Sequence, residues 1–506
     1  MERLAVIDMG SNSFRLVVYG YERGGWWSLT DEIREATRVG AGMGDELLLK
    51  PEPIDRAVHT AAVFASFCET SGIDDVIAVA TSAIRDARNR DELLTAIRDR
   101  TGLEPRVISG REEAWYGYLA MVNSTTLGDG FGIDMGGGSV QVMRMTDRLL
   151  ERSESVRLGA VRVSEAFLPG EEAPAKAIKA LRRHVAETLD AFGWWGATEV
   201  PHLVGIGGTI RNLAAAAQKR MELPNVGVQG FVIARDALEE LIEELAARPA
   251  SKRGAVPGIK PDRGDVILGG ALVLAASMEH GGFDGVEVTE AGLREGIFFE
   301  RLLEDRRPPL FEDVRRASVH NLASRFHPQP DHVRHVAALS LQIYDGLVAA
   351  GLWGGSDADR ELLWAACMLH DVGVAIDYDD HHRHSHYLIL SAGLPGFRPR
   401  EVVLIALIAR YHRKGEPDGS ELGSLAEKGD ERRLRLLCGV IRLAEQLERS
   451  RDQSVGAVRL HADGDHVRLE AEIRAREGDP SVAIWSARRN ADLLQRAIGK
   501  PVEVLG

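Results

Sequence analysis

The sequence predicts two duplicated α/β lobes, followed by an all-α region and a small α+β end piece. A phrase of eight residues occurs twice, as VIDMGSNS at 6–13 and as GIDMGGGS at 132–139. Apolar runs typical of strands alternate with helix-period segments around each copy. After Arg301 this alternation stops, and helix-period patterns continue to about residue 451.

The elements of the first lobe alternate between strand and helix, which is typical of a mixed sheet with a covered face. The predicted strands are 4–9, 15–21, 26–32, 76–80 and 105–108, and the predicted helices are 54–71, 91–101 and 112–122. The second lobe repeats this plan from Phe131. Asp8 and Asp134, the aspartates of the repeated phrase, lie 126 residues apart, which is too far for a solenoid repeat. The repeat therefore predicts two lobes that enclose a cleft.

The second half of the chain has a different sequence pattern and composition. The segment 304–309 is charged and then proline-rich, which is typical of a linker. The helical region after it holds ten of the sixteen histidines. The end of the chain is predicted to form strands 457–461, 467–473 and 502–505, and a helix over 489–498. The predicted domains are 1–128, 129–302, 303–453 and 454–506.

Three turns of small residues follow apolar runs. They contain Ser11, Asn12, Ser13, Gly136, Gly137, Gly138, Ser139, Gly207, Gly208 and Thr209. Backbone N–H groups and hydroxyls in such turns can surround a phosphate, and the carboxylates of Asp8 and Asp134 could hold a hydrated divalent cation beside it. A single turn of this kind is more often an ordinary tight turn. The near-identity of the first two turns favours phosphate binding.

The composition neither excludes nor requires an anionic substrate. The 506 residues carry a formal net charge of −14, but a cleft can be locally positive. The candidate basic patches are Arg85 with Arg88 and Arg90, Arg182–Arg183, Lys252–Arg253, Lys260 with Arg263, and Arg413–Lys414. Apart from Arg85, we interpret these residues as solvated surface charges.

Other features of the sequence favour a cytoplasmic protein. No run of 18 or more apolar residues occurs, and the first strand begins directly after the start, so we expect neither a transmembrane helix nor a signal peptide. Cys68, Cys367 and Cys438 lie far apart in apolar helical surroundings. We expect buried free thiols, which suit a reducing compartment.

Several motifs occur together in one order. They are DMGSNS at 8–13, TSAIR at 81–85, VISGREEA at 107–114 and DMGGGS at 134–139, followed by LHDVG at 369–373, HRHS at 382–385, LPGF at 394–397 and RYHRK at 410–414. The ordered set resembles the exopolyphosphatase/guanosine pentaphosphate phosphohydrolase (Ppx/GppA) family, in its long form. This resemblance implies lobes of the actin, sugar kinase and ribonuclease H-like superfold, then a helical HD-like domain.

The resemblance also implies roles for individual residues. Glu113, in the helix that begins near residue 110, matches the general base, while Arg85 would neutralise a bridging or leaving oxygen. Asp8 and Asp134 would organise Mg²⁺, and the residues of the three turns would cradle phosphates. Without the motif, two acidic residues in a first helical turn would be explained by the helix dipole alone. The family commonly has Glu where this chain has Gln141, which weakens any claim of a second metal contact there.

The histidine-rich region resembles an HD-type metallohydrolase. Its candidate ligands are His335, His370, Asp371, His384 and His412, a set that suits a divalent transition metal. Such domains usually have Asp at the place that Glu445 occupies here. The alternatives are a second active site, a vestigial scaffold, and a basic surface or channel for polyphosphate in which His381 to His384 join Arg410 and Arg413.

Together these features predict a Mg²⁺-dependent exopolyphosphatase that removes terminal orthophosphate processively from inorganic polyphosphate, with side activity on guanosine pentaphosphate. The open alternatives are a mainly pentaphosphate-specific hydrolase, a sensor that binds alarmones such as guanosine tetraphosphate or polyphosphate, a hydrolase that uses the HD-like site, and a kinase of the same superfold. A homodimer and activation by K⁺ are implied by the resemblance alone. No nucleic-acid or membrane partner is expected.

Overall fold

The computed structural model describes residues 1–44, 46–196, 202–224, 226–326, 329–474 and 479–506. The chain forms two compact units. The first contains Met1–Met221 with Val228–Val314, and the second contains Glu222–Gly227 with Arg315–Gly506. No helix among the described residues is both long and apolar enough to cross a membrane.

The first unit begins with a five-stranded mixed sheet of strand order β3-β2-β1-β4-β5. Its strands are β1 Glu2–Met9, β2 Phe14–Tyr21, β3 Trp27–Glu35, β4 Val76–Ala80 and β5 Arg106–Val107. The helices of this part are α1 Pro51–Thr70, α2 Ser82–Asp86, α3 Arg90–Thr101 and α4 Gly110–Val122. The short helix α2, which carries Arg85, was not among the predicted elements. Its five residues are too few to show a helical period.

A six-stranded sheet of order β10-β11-β9-β6-β7-β8 follows in the same unit. Its strands are β6 Gly130–Met135, β7 Val140–Thr146, β8 Leu149–Val156, β9 Leu203–Ile206, β10 Val232–Ala234 and β11 Gly285–Val288. Its helices are α5 Ala160–Phe167, α6 Ala175–Asp190, α7 Gly208–Arg220, α8 Arg235–Ala246, α9 Ala250–Arg253, α10 Ile267–Gly281 and α11 Leu293–Leu302, with a 3-10 turn at Pro261–Arg263.

Strand register confirms that the two sheets repeat one plan. Asp8 pairs with Arg15 on the antiparallel neighbour β2 and with Val79 on the parallel neighbour β4. Asp134 pairs with Gln141 on the antiparallel neighbour β7 and with Ile206 on the parallel neighbour β9. The two aspartates therefore occupy equivalent positions, each next to the last residue of a central strand.

Two helices pack on the opposite sheet from the one that they adjoin in the sequence: α4 packs on the second sheet, and α11 packs on the first. Although α4 lies within the predicted first domain, it packs on the second sheet, where a Cβ on Gly117 would lie 3.4 Å from Asp134 Oδ2. In return, α11 packs on the first sheet, where Phe298 stacks on Tyr19 at 4.2 Å between ring centroids. The two helices also touch, since a Cβ on Gly296 would lie 2.0 Å from Tyr116 O. This packing fixes α4, and with it Glu113, between the sheets.

The second unit is built around a helical core. Its helices are α12 Val314–Phe326, α13 Pro330–Ala349, α14 Asp357–Leu369, α15 His381–Ala392, α16 Pro399–Arg410 and α17 Asp430–Leu447, with 3-10 turns at Val372–Ala375 and Ser420–Leu425. The end piece has a three-stranded sheet of β12 Val455–Asp463, β13 His466–Ile473 and β14 Val502–Leu505, with α18 Ser481–Arg489 and α19 Asp492–Ile498. The helix predicted over 489–498 is confirmed as α19, which begins three residues later, at Asp492, whereas α18 was not among the predicted elements.

Candidate active site

A cavity of about 150 Å³ lies between the two sheets of the first unit. Most of the residues that the sequence singled out line it. They are Asp8, Ser11, Asn12, Ser13, Glu113, Asp134, Gly136, Gly137, Gly207 and Gly208. Parts of the chain that are as much as 200 residues apart therefore meet at one site, as expected for two phosphate turns that face each other.

Three of the predicted phosphate-binding residues lie just behind the cavity wall. A Cβ on Gly138 would lie 2.6 Å from Ser82 Oγ and 3.0 Å from Ser11 Oγ, so this glycine permits the two lobes to approach closely. The Ser139 and Thr209 side chains are buried, and the Thr209 methyl group faces Gly270 in α10. These three residues support the turns instead of lining the cavity.

The conformation of the third turn requires glycine. Gly207 has φ 113°, and a Cβ at this position would lie 2.4 Å from the carbonyl oxygen of Met135. No other residue combines this backbone angle with so close an approach to a neighbouring strand. The helix α7 starts at the next residue, Gly208. Its first N–H groups therefore begin at the cavity, where a phosphate oxygen can accept from them.

The two glutamates at the start of α4 have different surroundings. Glu112 belongs to a capping box, because its Oε2 accepts from Ser109 N at 2.8 Å while Ser109 Oγ accepts from Glu112 N at 3.1 Å. Glu113 is only 7% exposed and accepts from Arg85 Nη1 at 2.8 Å. The helix-terminus explanation therefore applies to Glu112, and Glu113 is left facing the cavity.

Three carboxylates share this cavity, a buried one on Glu113 and partly exposed ones on Asp8 and Asp134, and each has a raised pKa. Burial raises the pKa of Asp134 to about 7, with the charge of Glu113 adding to the effect and Arg211 opposing it. Burial also raises the pKa of Asp8 and of Glu113, and in Glu113 the Arg85 guanidinium opposes the shift. Negative charges on three neighbouring carboxylates repel one another, which destabilises the folded protein unless protons or cations neutralise them. The two aspartates, which follow the repeated strands, therefore fit a hard divalent cation.

Four arginines that the sequence analysis did not assign to the site, Arg15, Arg211, Arg263 and Arg294, also line the cavity. Burial and the neighbouring arginines lower the pKa of Arg15 to about 10. Burial likewise lowers the pKa of Arg211 and of Arg263. Cations held against one another in this way favour a bound polyanion. Closeness to a turn in the sequence could have identified some of these arginines. Arg15, for example, lies just after the first turn.

A second cavity of about 280 Å³ adjoins the first one. The two cavities share Arg15, Gly208, Arg211 and Arg263, and the second is also lined by Arg34 and Lys260. Lys260 and Arg263, which we interpreted as surface charges, thus belong to a basic channel. Arg253 is likewise not a surface charge: it is 1% exposed and donates to the carbonyl of Leu245 at 2.9 Å.

Gln141 has a structural explanation. Its side chain is fully buried, and Nε2 donates to Ser139 Oγ at 3.0 Å and to Ser155 Oγ at 2.9 Å. The amide thereby ties the second phosphate turn to β8. A carboxylate could not donate these two hydrogen bonds.

In the second unit, the structure brings together a different histidine set from the predicted one. His370, Asp371 and His412 are joined by His332 and His381. His335 instead contacts the carbonyl of Val455 through Nε2 at 2.8 Å, and His384 is in neither group of potential ligands among the described residues. His332 lies one turn before His335 on α13, and His381 lies one turn before His384 on α15, so each cluster member is close to the predicted residue on the same helix.

All three cysteines are free and buried, as predicted. Burial raises the pKa of the Cys367 thiol to about 12. Such thiols are inert packing groups.

Comparison with known proteins gives consistent results along the chain. A model of the Ppx/GppA phosphatase family matches residues 17–305, and a model of domain III of the Ppx/GppA phosphatases matches residues 314–477. Together these two matches span most of the chain.

Solved structures resemble about three fifths of the chain. A Ppx/GppA family member of Aquifex aeolicus is 26% identical over 60% of this chain and 99% of its own, with a TM-score of 0.53. An Aquifex aeolicus PPX-GPPA enzyme is 27% identical over 59% and 98%, with a TM-score of 0.51. An exopolyphosphatase from Cytophaga hutchinsonii shares the fold, at 22% identity over 60% and 98% and a TM-score of 0.55. These similarities confirm the predicted α/β fold class with duplicated actin-like lobes.

Proposed function

Because the chain belongs to the Ppx/GppA phosphatase family, we propose that it is an exopolyphosphatase that releases terminal orthophosphate processively from inorganic polyphosphate. One observation carries this proposal. The buried carboxylate of Glu113 lies beside the phosphate turns, in a cavity that continues into a second cavity lined by cations. A terminal phosphoryl group can bind at the turns while the rest of the chain follows the basic channel.

In the proposed reaction, Glu113 acts as the general base. A water molecule attacks the terminal phosphorus, a new P–O bond forms, and the bridging P–O bond breaks so that the shortened polyphosphate leaves as an anion. Glu113 accepts the proton that the water loses. The buried surroundings of Glu113 raise its pKa above the usual value of a glutamate, which makes it a stronger base.

Arg85 is given a positioning role in this proposal. The family resemblance implies that Arg85 neutralises a bridging or leaving oxygen, whereas its Nη1 donates to Glu113 Oε2 at 2.8 Å and to the carbonyl of Ile108 at 3.1 Å. Held at both points, the guanidinium fixes the direction of the carboxylate and favours its ionised form. The arginines that line the cavity, Arg211 and Arg294 among them, take over the neutralisation of phosphoryl oxygens.

Mg²⁺ is part of the proposal because the residues fit it. Asp8 and Asp134 would hold the ion, and their carboxylates have raised pKa values. When bound, Mg²⁺ would neutralise charge on the phosphoryl oxygens. Orientation of the substrate falls to the N–H groups of the turns at 11–13, 136–137 and 207–208 and to the hydroxyls of the first turn. K⁺ activation, a homodimer and a cytoplasmic location remain expectations from the family.

Polyphosphate is favoured over guanosine pentaphosphate by the lining of the second cavity. Five cationic side chains line it, Arg15, Arg34, Arg211, Lys260 and Arg263, and none of its described lining residues is aromatic. A chain of phosphates is recognised by charge alone, whereas a guanine base would gain from stacking and from paired hydrogen bonds. Guanosine pentaphosphate is therefore proposed as a side substrate.

The substrate assignment can be tested by the products. Purified protein would be incubated with Mg²⁺ and long polyphosphate, guanosine pentaphosphate or ATP, and orthophosphate and remaining chain lengths would be measured. We expect fastest release from polyphosphate, with full-length and fully degraded chains coexisting because the enzyme is processive. Preference for guanosine pentaphosphate, or transfer of phosphate from ATP to an acceptor, would refute this assignment.

A further inference from the structure

The second unit contains a buried cluster of metal-ligating side chains apart from the cavity in the first unit. His332, His370, Asp371, His381, His412 and Glu445 are each at most 7% exposed. Four of the six are imidazoles, which suit transition metals such as Co²⁺, Mn²⁺ and Zn²⁺ and not Mg²⁺. The cluster therefore differs in chemistry from the oxygen-rich site between the lobes.

Three of the imidazoles are held in one tautomer by the backbone. Nδ1 of His370 lies 2.6 Å from the carbonyl oxygen of Cys367, Nδ1 of His381 lies 2.7 Å from that of Tyr378, and Nδ1 of His412 lies 2.7 Å from that of Ala409. A carbonyl oxygen can only accept, so each Nδ1 carries the hydrogen. In each ring Nε2 is then the nitrogen that remains to face the cluster. This outer hydrogen bond is the usual arrangement behind a metal-binding histidine.

The free lone pairs of two of these rings face each other. His381 Nε2 and His412 Nε2 are 3.2 Å apart, and they lie 3.3 Å and 3.8 Å from Asp371 Oδ1. Two lone pairs at this distance repel unless a proton or a metal ion lies between them. Ligands bound tetrahedrally to one ion at about 2.1 Å are about 3.4 Å from one another, which is the separation found here.

A second group of ligand atoms also includes Asp371. Glu445 Oε2 is 3.2 Å from His332 Nε2 and 3.3 Å from His370 Nε2. His370 Nε2 is also 3.6 Å from Asp371 Oδ1. All three of these atoms, Glu445 Oε2, His332 Nε2 and His370 Nε2, are buried and make no hydrogen bond of acceptable geometry with the described residues. Glu445 thus supplies a carboxylate at the position where the sequence comparison expected Asp.

We propose that the second unit binds two divalent transition-metal ions that share Asp371, one held by His381 and His412 and the other by His332, His370 and Glu445. Arg451 donates to Asp371 Oδ2 at 2.9 Å, which leaves Oδ1 directed towards the imidazoles. The ions join side chains from α13, α14, α15, α16 and α17 or from the residues directly after them.

The same cluster opens into a cavity of about 280 Å³. His381, His412 and Glu445 form part of its wall, together with Arg413, Arg449 and Arg489. Metal ions at one end and guanidinium groups around them match the charge of a phosphate group, which can bind metal and arginine at once. The ligand class for this cavity is therefore a phosphate-bearing anion.

Cobalt binding tests the pair directly. The full-length protein would be stripped of metal, placed in excess Mg²⁺ to fill oxygen-only sites, and titrated with Co²⁺ while the visible spectrum is recorded. We expect two Co²⁺ per chain in the parent, one in His381→Ala, one in His332→Ala and none in Asp371→Asn. The matched control is His384→Ala, on the same helix as His381 but outside the cluster, which should bind two. Circular dichroism would show that each variant is folded.

Several outcomes would overturn the proposal. They are no cobalt in the parent protein, a single ion lost equally in all three ligand variants, and an equal loss in His384→Ala. For the phosphate site, inorganic phosphate should change the cobalt spectrum, and Arg449→Ala should weaken this effect about tenfold while two ions stay bound. The exposed Arg334→Ala serves as the control. A phosphate effect that is absent, or unchanged in Arg449→Ala, would refute the assignment of this cavity.

Discussion

Arg85 donates from Nη1 to Glu113 Oε2 at 2.8 Å, across the 28 positions that separate the two residues in the sequence. The pair joins α2, a helix of the first lobe, to α4, which packs on the sheet of the second. The proposed general base is therefore oriented by a residue of the opposite lobe. Its ionisation depends on the closeness of the two lobes.

Removal of Arg85 should shift the pH dependence of the reaction. Burial raises the pKa of Glu113 and Arg85 opposes this rise, so Arg85→Ala should raise the pKa further. Because the base must be ionised, the acidic limb of the kcat profile should move to higher pH. The exposed Arg88 is a nearby control, and Arg88→Ala should leave the limb in place. An unchanged limb in Arg85→Ala would contradict the positioning role.

Asp134 should reduce the stability of the fold at neutral and alkaline pH. The pKa of this residue is raised to about 7 from 3.8, so between these values the folded chain binds a proton that the unfolded chain releases. Its contribution to stability therefore falls as the pH rises through this window and stays low above it. At pH 8 without divalent cations the cost is at most about 4 kcal/mol.

We therefore expect Asp134→Asn to raise the midpoint of thermal unfolding at pH 8, to have little effect at pH 4, and to abolish activity. Mg²⁺ should stabilise the parent more than the variant at pH 8. Asp147→Asn, at an exposed position in the loop between β7 and β8, should change none of these values. An Asp134→Asn protein less stable than its parent at pH 8 would refute this explanation.

Lys260 should contribute to the binding of long substrates only. It lines the second cavity but not the first, so it would contact phosphates beyond the terminal one. We expect Lys260→Ala to raise KM for long polyphosphate about 3- to 10-fold, as for the loss of one charge-assisted contact, with little change in kcat or in KM for tripolyphosphate. Lys252→Ala, at an exposed position, is the control. Equal effects on long and short substrates would contradict the proposed channel.

The duplicated lobes could be predicted from the sequence because the two phrases share both a strand pattern and an aspartate. The same periodicities could not show that α4 and α11 exchange sheets, since a helix pattern indicates an apolar face but not the sheet against which it packs. The arginines of the cavity escaped prediction for a related reason. Arg15, Arg211 and Arg294 are isolated in the sequence and converge only through the fold.

The sequence predicted a cluster of histidines around Asp371, but two of the histidines in it are not the predicted ones. The pairs His332 and His335, and His381 and His384, are each one helical turn apart, so both members of a pair project from nearly the same face. Only the packing of the neighbouring helices decides which imidazole reaches Asp371. Similarly, the adjacent Glu112 and Glu113 differ in role because the capping box of α4 uses the first of them.

The central role of Glu113 is tested most directly by orthophosphate release from long polyphosphate, with Mg²⁺, in Glu113→Gln, Glu112→Gln and His370→Ala. Glutamine still serves in a capping box, so Glu112→Gln controls for the neutralised charge. Glu113→Gln should lower kcat about 10²- to 10⁴-fold, while the other two variants should stay within about threefold of the parent. Retention of activity in Glu113→Gln with its loss in His370→Ala would place the chemistry in the second unit and contradict the proposed mechanism.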